Sequence, residues 1–186
     1  MEKFDDFVNI PVEHLKNFMK AVFVKVGVPE EDALICTDVL IKSDLRGVDS
    51  HGINRLKMYV DRIKDKVQFP VTNWKLLEDN GSTAVLDAAH GMGHVAAYHA
   101  MKIAIKKAAQ YGTGAVVVKN GTHFGIAGYY PLMAAQNNMI GISVTNARPS
   151  ISPTFGTEPM LGTNPIAFSA PDRKSTRLNS SHRIRS

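Results

Sequence analysis

"STAVLDAAHGMGHVAAYHAMKIAIKKAAQYGTGAVVVKN", residues 82–120, carries both kinds of regular structure in one unbroken stretch. Residues 82–88, "STAVLDA", read as a strand. Residues 91–112, "GMGHVAAYHAMKIAIKKAAQYG", are rich in alanine and too long for a strand, and glycines stand at both ends. That composition predicts a long helix. "GAVVVKN" at 114–120 is β-branched and predicts a second strand. Strand, helix and strand in succession indicate an α/β fold.

The chain upstream is helical. Residues 11–26, "PVEHLKNFMKAVFVKV", place Leu15, Phe18, Met19, Val22 and Phe23 at helical spacing, and Gly27 ends the run. The stretch 28–47 reads as a second helix. Pro29 suits its first turn, Glu30, Glu31 and Asp32 favour the N-terminal end of its dipole, and Gly47 lies just past its end. Residues 52–66 read as a third helix, with Ile53, Leu56, Tyr59, Val60 and Ile63 on one face. Downstream, "YYPLMAAQNN" (129–138) predicts a helix, while "MIGISVTN" (139–146) and "NPIAFSAP" (164–171) predict strands. The order implies a helical N-terminal lobe over residues 1–75 and an α/β lobe over 76–171. No internal repeat interrupts it.

The 186 residues suffice for one full domain or for part of a larger protein. At 44% hydrophobic and 21% charged residues, the composition is that of a soluble globular protein. Cys36 is the only cysteine, so no internal disulfide can form, and a reducing, cytoplasmic setting fits. The first residues are acidic and lack the apolar run of a signal peptide. No apolar run is long enough to span a bilayer.

The net charge of +5 has a local origin. Of the 22 basic and 17 acidic residues, the last fifteen, "DRKSTRLNSSHRIRS", hold five and one. The remaining 171 residues balance seventeen basic against sixteen acidic groups, so the body is near neutral. A basic tail can serve as a nucleic-acid arm. This one has no aromatic residue for stacking and no helical apolar period. Its string resembles the translation of a sequencing-library adapter, so residues 172–186 are expected to be non-native and the chain truncated near Pro171. Neither a nucleic acid nor a membrane is the expected partner.

Two histidine loops carry the chemistry. "RGVDSHGINR", residues 46–55, gathers Arg46, Ser50, His51 and Arg55. "NGTHFG", residues 120–125, follows the "AVVVK" strand and carries His123, in the kind of loop where α/β folds bind ligands. Histidine is a natural acid/base near neutral pH. Arginines grip carboxylates through paired N–H donors. Together they are the equipment for redox chemistry on a 2-hydroxy or 2-oxo acid. Taken singly, each histidine is more often a hydrogen-bonded structural residue, and Arg55 can be a solvated helix-face residue.

Other constellations are weaker. The dinucleotide fingerprint G-x-G-x-x-G and the P-loop lysine pattern are both absent. Gly91 and Gly93 open a helix that could face an anion, although glycines also serve as turn residues. His90, His94 and His99 do not share one helical face, and no H-E-x-x-H or cysteine partner accompanies them, so no metal is expected. Ser50 lacks a nucleophile elbow and reads as a residue that orients His51 or a substrate group.

"RGVDSHGINR", "NGTHFG" followed by "AGYY", and "TNARPSISPTFGTEPMLGTNPIAFSAP" (145–171) together resemble the type-2 malate/L-lactate dehydrogenases. That family also includes ureidoglycolate, sulfolactate and 2,3-diketogulonate oxidoreductases and a cyclic-imine reductase. The resemblance runs from about the first helix to Pro171. It implies an NAD- or NADP-dependent oxidoreductase, cytoplasmic and usually homodimeric, whose cofactor lobe is not of the Rossmann type. Malate, lactate, sulfolactate and imino acids all stay open as substrates.

By that resemblance Ser50 and His51 match residues assigned to proton transfer in some members. Arg55 matches a ligand of the substrate carboxylate, and Arg46 is implied to line the same pocket. His123 matches an acid/base in some members and a substrate contact in others, so either histidine can be the proton carrier. Thr163 matches a substrate-pocket threonine. Asn146, Pro153, Gly156, Gly162 and Asn164 match the segment near the nicotinamide half of the cofactor.

Family members are roughly twice this length, as a two-lobed dinucleotide enzyme requires. The resemblance therefore implies an N-terminal fragment that lacks much of the cofactor site and is inactive or poorly folded. A non-enzymatic module that binds a small carboxylate through Arg46, Arg55 and His123 is the alternative.

Overall fold

A computed structural model describes residues 9–172 and the backbone of residues 178–179. Apart from Asp172 and that two-residue piece, the expected adapter-like tail lies outside the described residues. Three helices come first: α1 (Val12–Lys25), α2 (Glu30–Asp44) and α3 (Leu56–Lys64). Their inward faces share one apolar core that includes Met19, Phe23, Cys36, Leu40, Leu56 and Tyr59. Phe18, which the periodicity puts on that face, is instead more than half exposed. Between α2 and α3 the chain runs through two single-turn 3-10 helices, Asp49–His51 and Ile53–Arg55. The third helix thus starts at Leu56 rather than at Gly52.

The first sheet has the order β1 (Lys75–Asn80), β2 (Thr83–Asp87), β3 (Ala115–Lys119). β1 and β2 form an antiparallel hairpin, while β2 and β3 run parallel and are joined by α4 (Gly93–Tyr111). A parallel pair needs such a helical crossover. Leu86, Ala88, Ala96 and Ala100 fill the space between α4 and the sheet, where alanine permits close approach. Lys107, almost fully buried, ties α4 to the hairpin by bonding Asp79 and the Gly81 carbonyl. The core of the three N-terminal helices continues into α4 through Met92 and Val95.

α5 (Tyr129–Ala135) packs on α4 and on a second sheet made of β4 (Gly141–Val144), β5 (Ile166–Ser169) and β6 (Leu178–Asn179), all antiparallel. Gly141, Ala167 and Ser169 point at α5, and the Ser169 hydroxyl donates to the Pro131 carbonyl at 2.5 Å. The opposite face carries Ile142, Val144, Ile166 and Phe168, all exposed. The architecture is therefore mixed α/β, with five α-helices and two small sheets among the described residues. Among those residues no helix is long and apolar enough to cross a membrane.

Candidate active site

The two histidine loops meet. His51 and His123 stack with ring centroids 5.6 Å apart and planes 23° from parallel. Each loop is held by a separate device.

The His51 loop is fixed to α2 by Asp44, whose carboxylate accepts a hydrogen bond from the Ile53 N–H at 2.9 Å. Gly52 makes this possible. A Cβ on residue 52 would lie 1.6 Å from Asp44 Oδ1, so any side chain there would expel the anchor. Ser50 Oγ lies 2.9 Å from His51 Nδ1, and Arg55 Nε donates to the Ser50 carbonyl at 2.6 Å. Ser50, His51 and Arg55 thus form one connected group on the loop.

The His123 loop is fixed to the start of α4. The Thr122 hydroxyl accepts from the Gly93 N–H at 3.0 Å and donates to the Gly91 carbonyl at 2.7 Å. A Cβ on Gly93 would come within 2.5 Å of the carbonyl oxygens of Thr122 and His123. The Gly93 N–H at the start of α4 is therefore taken by the Thr122 hydroxyl.

The inner wall of the site comes from α3 and α4. The buried Tyr59 hydroxyl lies 2.7 Å from His123 Nδ1, and the Gly125 N–H also points at Nδ1, at 3.3 Å. Burial pushes the Tyr59 phenol far above its ordinary range, so it stays protonated. His94, fully buried, sits edge-on to Tyr59 with centroids 4.6 Å apart. Neither His94 nitrogen has a hydrogen-bond partner among the described residues. Burial, helped by His123, lowers its pKa to about 3, so it is neutral at any physiological pH. Burial first, then the positive fields of His51, Arg62 and Arg55, lowers His123 to about 4.

Tyr59, His94 and Arg62 were missed as site residues by sequence reasoning. By its spacing Tyr59 is a helix-face core residue, and the spacing of His94 to His90 and His99 bears only on a metal site. The one available signal was a hydroxyl on a buried helix face, because a buried tyrosine O–H normally finds a partner. His99 stacks on Trp74 at 5.0 Å, so His94 and His99 serve different packing clusters. No group of three or more metal-ligating side chains occurs among the described residues.

The remaining expected residues lie elsewhere. Arg46 stands just past α2, donates to the Lys42 carbonyl at 3.2 Å, and lines a cavity whose walls include neither His51 nor His123. Residues 146–164 form an exposed arm. It is closed by a bridge between Ile151 and Leu161 and by Asn164, whose side-chain oxygen accepts from the Ala147 N–H at 2.8 Å. Asn146, Gly156, Thr163 and Asn164 are exposed on this arm, and Pro153 and Gly162 are half-buried. Phe155 stands fully in solvent. The hydrogen bonds that shape the arm are internal to it.

The profile of the malate/L-lactate dehydrogenase family matches residues 10–179, nearly the whole chain. The chain belongs to that family. It is 50% identical to a malate dehydrogenase of Pyrococcus abyssi over 169 residues, which is 91% of this chain and 47% of that protein. It is 45% identical to an L-sulfolactate dehydrogenase of Methanocaldococcus jannaschii over 156 residues, 84% of this chain and 45% of that one. The solved structure of malate dehydrogenase from Pyrococcus horikoshii superposes with a TM-score of 0.88 at 47% identity, covering 92% of this chain and 49% of that one. The chain thus spans about half the length of the curated relatives it matches. The matched region includes both histidine loops and the exposed arm.

Proposed function

We propose that this chain contributes the proton-transfer and carboxylate-binding half of an NAD- or NADP-dependent oxidoreductase acting on a small 2-hydroxy or 2-oxo acid of the malate or lactate type. The observation that carries the reading is the His51–His123 pair, with Tyr59 on His123 Nδ1 and Arg55 on the same loop as His51. His123 is the better candidate for the proton carrier. Its Nδ1 is engaged by the Tyr59 hydroxyl and faced by the Gly125 N–H, which leaves Nε2 to meet a substrate oxygen. Ser50 then serves as an orienting partner of His51.

The low pKa of His123 suits this role once charge is counted. Without an anion, His51, Arg62 and Arg55 oppose protonation of the ring. A substrate carboxylate held by Arg55 cancels part of that field and raises the His123 pKa toward neutrality. The histidine therefore becomes an effective acid only when a carboxylate is present. The Tyr59 hydroxyl can donate to Nδ1 or accept from it, so it supports both protonation states of the ring.

The exposed arm is the place proposed for the nicotinamide group. It exposes Phe155, Met160 and Leu161 and the polar groups of Asn146, Thr163 and Asn164. The nicotinamide, when bound, supplies or accepts the hydride. Within the arm, Asn146, Pro153, Gly156, Gly162 and Asn164 would hold that group and Thr163 the substrate. We further propose a non-Rossmann cofactor lobe and a cytoplasmic homodimer. The lone buried Cys36 supports a reducing compartment, and the exposed β4–β5 face supports a covered surface.

The test is a histidine NMR titration of the chain with oxaloacetate or pyruvate. The His123 pKa should rise on saturation, and an unchanged pKa would remove the reading. In a chain of the relatives' length, His123→Asn should cut kcat by about 10²–10⁴-fold. In that same chain, Arg55→Gln should act mainly on KM. The 186-residue chain alone is expected to bind the oxo acid without turnover. Binding without turnover in the longer chain as well would instead favour a carboxylate-binding module.

A further inference from the structure

We propose that the cavity between α2, α4 and α5 is a binding site for a small, multiply charged oxyanion, separate from the histidine site. The cavity encloses about 470 Å³, within the usual size range of small-molecule pockets. Four cations line it: Lys42 and Arg46 from the end of α2, and Lys102 and Lys106 from one face of α4. Tyr98 and Tyr129 complete the walls.

Three of the four cations have a neighbour within the walls. Lys42 Nζ is 2.8 Å from Asp38 and 5.1 Å from the centre of the Tyr129 ring. Lys102 Nζ lies 5.5 Å from the centre of the Tyr98 ring. Arg46 is tethered to the Lys42 carbonyl. Asp38 is the one carboxylate bound to this group among the described residues, and it also accepts from the Tyr129 hydroxyl at 2.7 Å. Lys102 and Lys106 make no ion pair among the described residues. Four cations against one carboxylate is an uncompensated arrangement, and like charges four residues apart on a helix oppose folding. An anion of two or more charges relieves that repulsion and gains charge-assisted hydrogen bonds. The cavity volume and its four lining cations favour a small molecule with phosphoryl or several carboxyl groups.

The experiment is calorimetric titration of the chain at fixed ionic strength with inorganic pyrophosphate, citrate and acetate. Saturable binding of pyrophosphate or citrate, and none of acetate, is expected. Preference for pyrophosphate would identify a phosphoryl ligand and preference for citrate a polycarboxylate. Lys102→Gln/Lys106→Gln, both exposed and so tolerated by the fold, should weaken binding by about tenfold or more. Lys25→Gln/Lys64→Gln, which removes the same charge elsewhere, should leave it unchanged. Backbone amide shifts on adding the anion should cluster on α2, α4 and α5. Absence of saturable binding, equal loss in both double variants, or shifts confined to the His51 and His123 loops would each overturn the proposal.

Discussion

The histidine pair separates two unlike walls. On the α3–α4 side, Tyr59 and His94 are fully buried and His123 is half-buried. On the loop side, Ser50 is exposed, and His51 and Arg55 are half-exposed. The buried wall acts through packing. It fixes the ring of His123 and keeps His94 neutral, and both effects need exclusion of water. The open wall acts through charge and is built on two short 3-10 turns pinned by Asp44. Changes to the first wall should therefore cost stability, while changes to the second should leave the fold intact and alter protonation.

The largest effect is expected from emptying the buried wall. Tyr59→Ala removes a fully buried ring that touches Phe23, His94 and His123. A loss of about 3–5 kcal/mol is expected in urea unfolding. A loss below about 1 kcal/mol would mean that the wall is loosely packed. Tyr59→Phe keeps the ring and removes only the hydroxyl, so about 1 kcal/mol should be lost. The nitrogen shifts of His123 should move at the same time, because Nδ1 loses its main partner.

The buried wall also makes stability depend on pH. His94 and His123 have folded pKa values of about 3 and about 4, both below the ordinary value near 6.5. Between those limits the unfolded chain binds more protons than the folded one. Stability is therefore complete above about pH 6.5 and falls as the pH drops toward the folded values. Each histidine contributes a slope of at most about 1.4 kcal/mol per pH unit. His94→Phe should remove one of these contributions, so its stability relative to the natural chain should rise as the pH falls from 6.5 to 4. Parallel stability curves for the two proteins would show that His94 is not held neutral by burial.

The two walls were not equally legible in the sequence. The strand–helix–strand core could be read because alanine, β-branched residues and terminal glycines agree over residues 82–120. β1 could not, since all six of its residues are exposed and "KLLEDN" carries no burial pattern. The open wall was legible as a motif because Ser50, His51 and Arg55 are neighbours in sequence. The buried wall depends on residues 59, 94 and 123, brought together only by helix packing. Tyr59 there looks like any apolar helix-face residue. Arg46 shows the converse: it is close to His51 in sequence, yet the end of α2 directs it toward α4.

The smallest effects belong to the open wall, and they test whether it works by charge alone. His51→Ala, Arg62→Ala and Arg55→Ala each remove one positive field from His123. Each should raise the His123 pKa in an NMR titration, in the order His51, then Arg62, then Arg55, following their weight at the ring. Their cost in stability should be about 1 kcal/mol or less, because none of the three is fully buried. Arg55 is the sharpest case. It bonds the Ser50 carbonyl, so its loss could instead act by freeing the loop. Arg55→Lys separates the two, since lysine keeps the charge but cannot reproduce the Nε donor geometry. If charge governs His123, Arg55→Lys should leave the pKa near that of the natural chain while Arg55→Ala raises it. If both substitutions raise it equally, the loop's geometry rather than its charge sets the protonation of the buried wall.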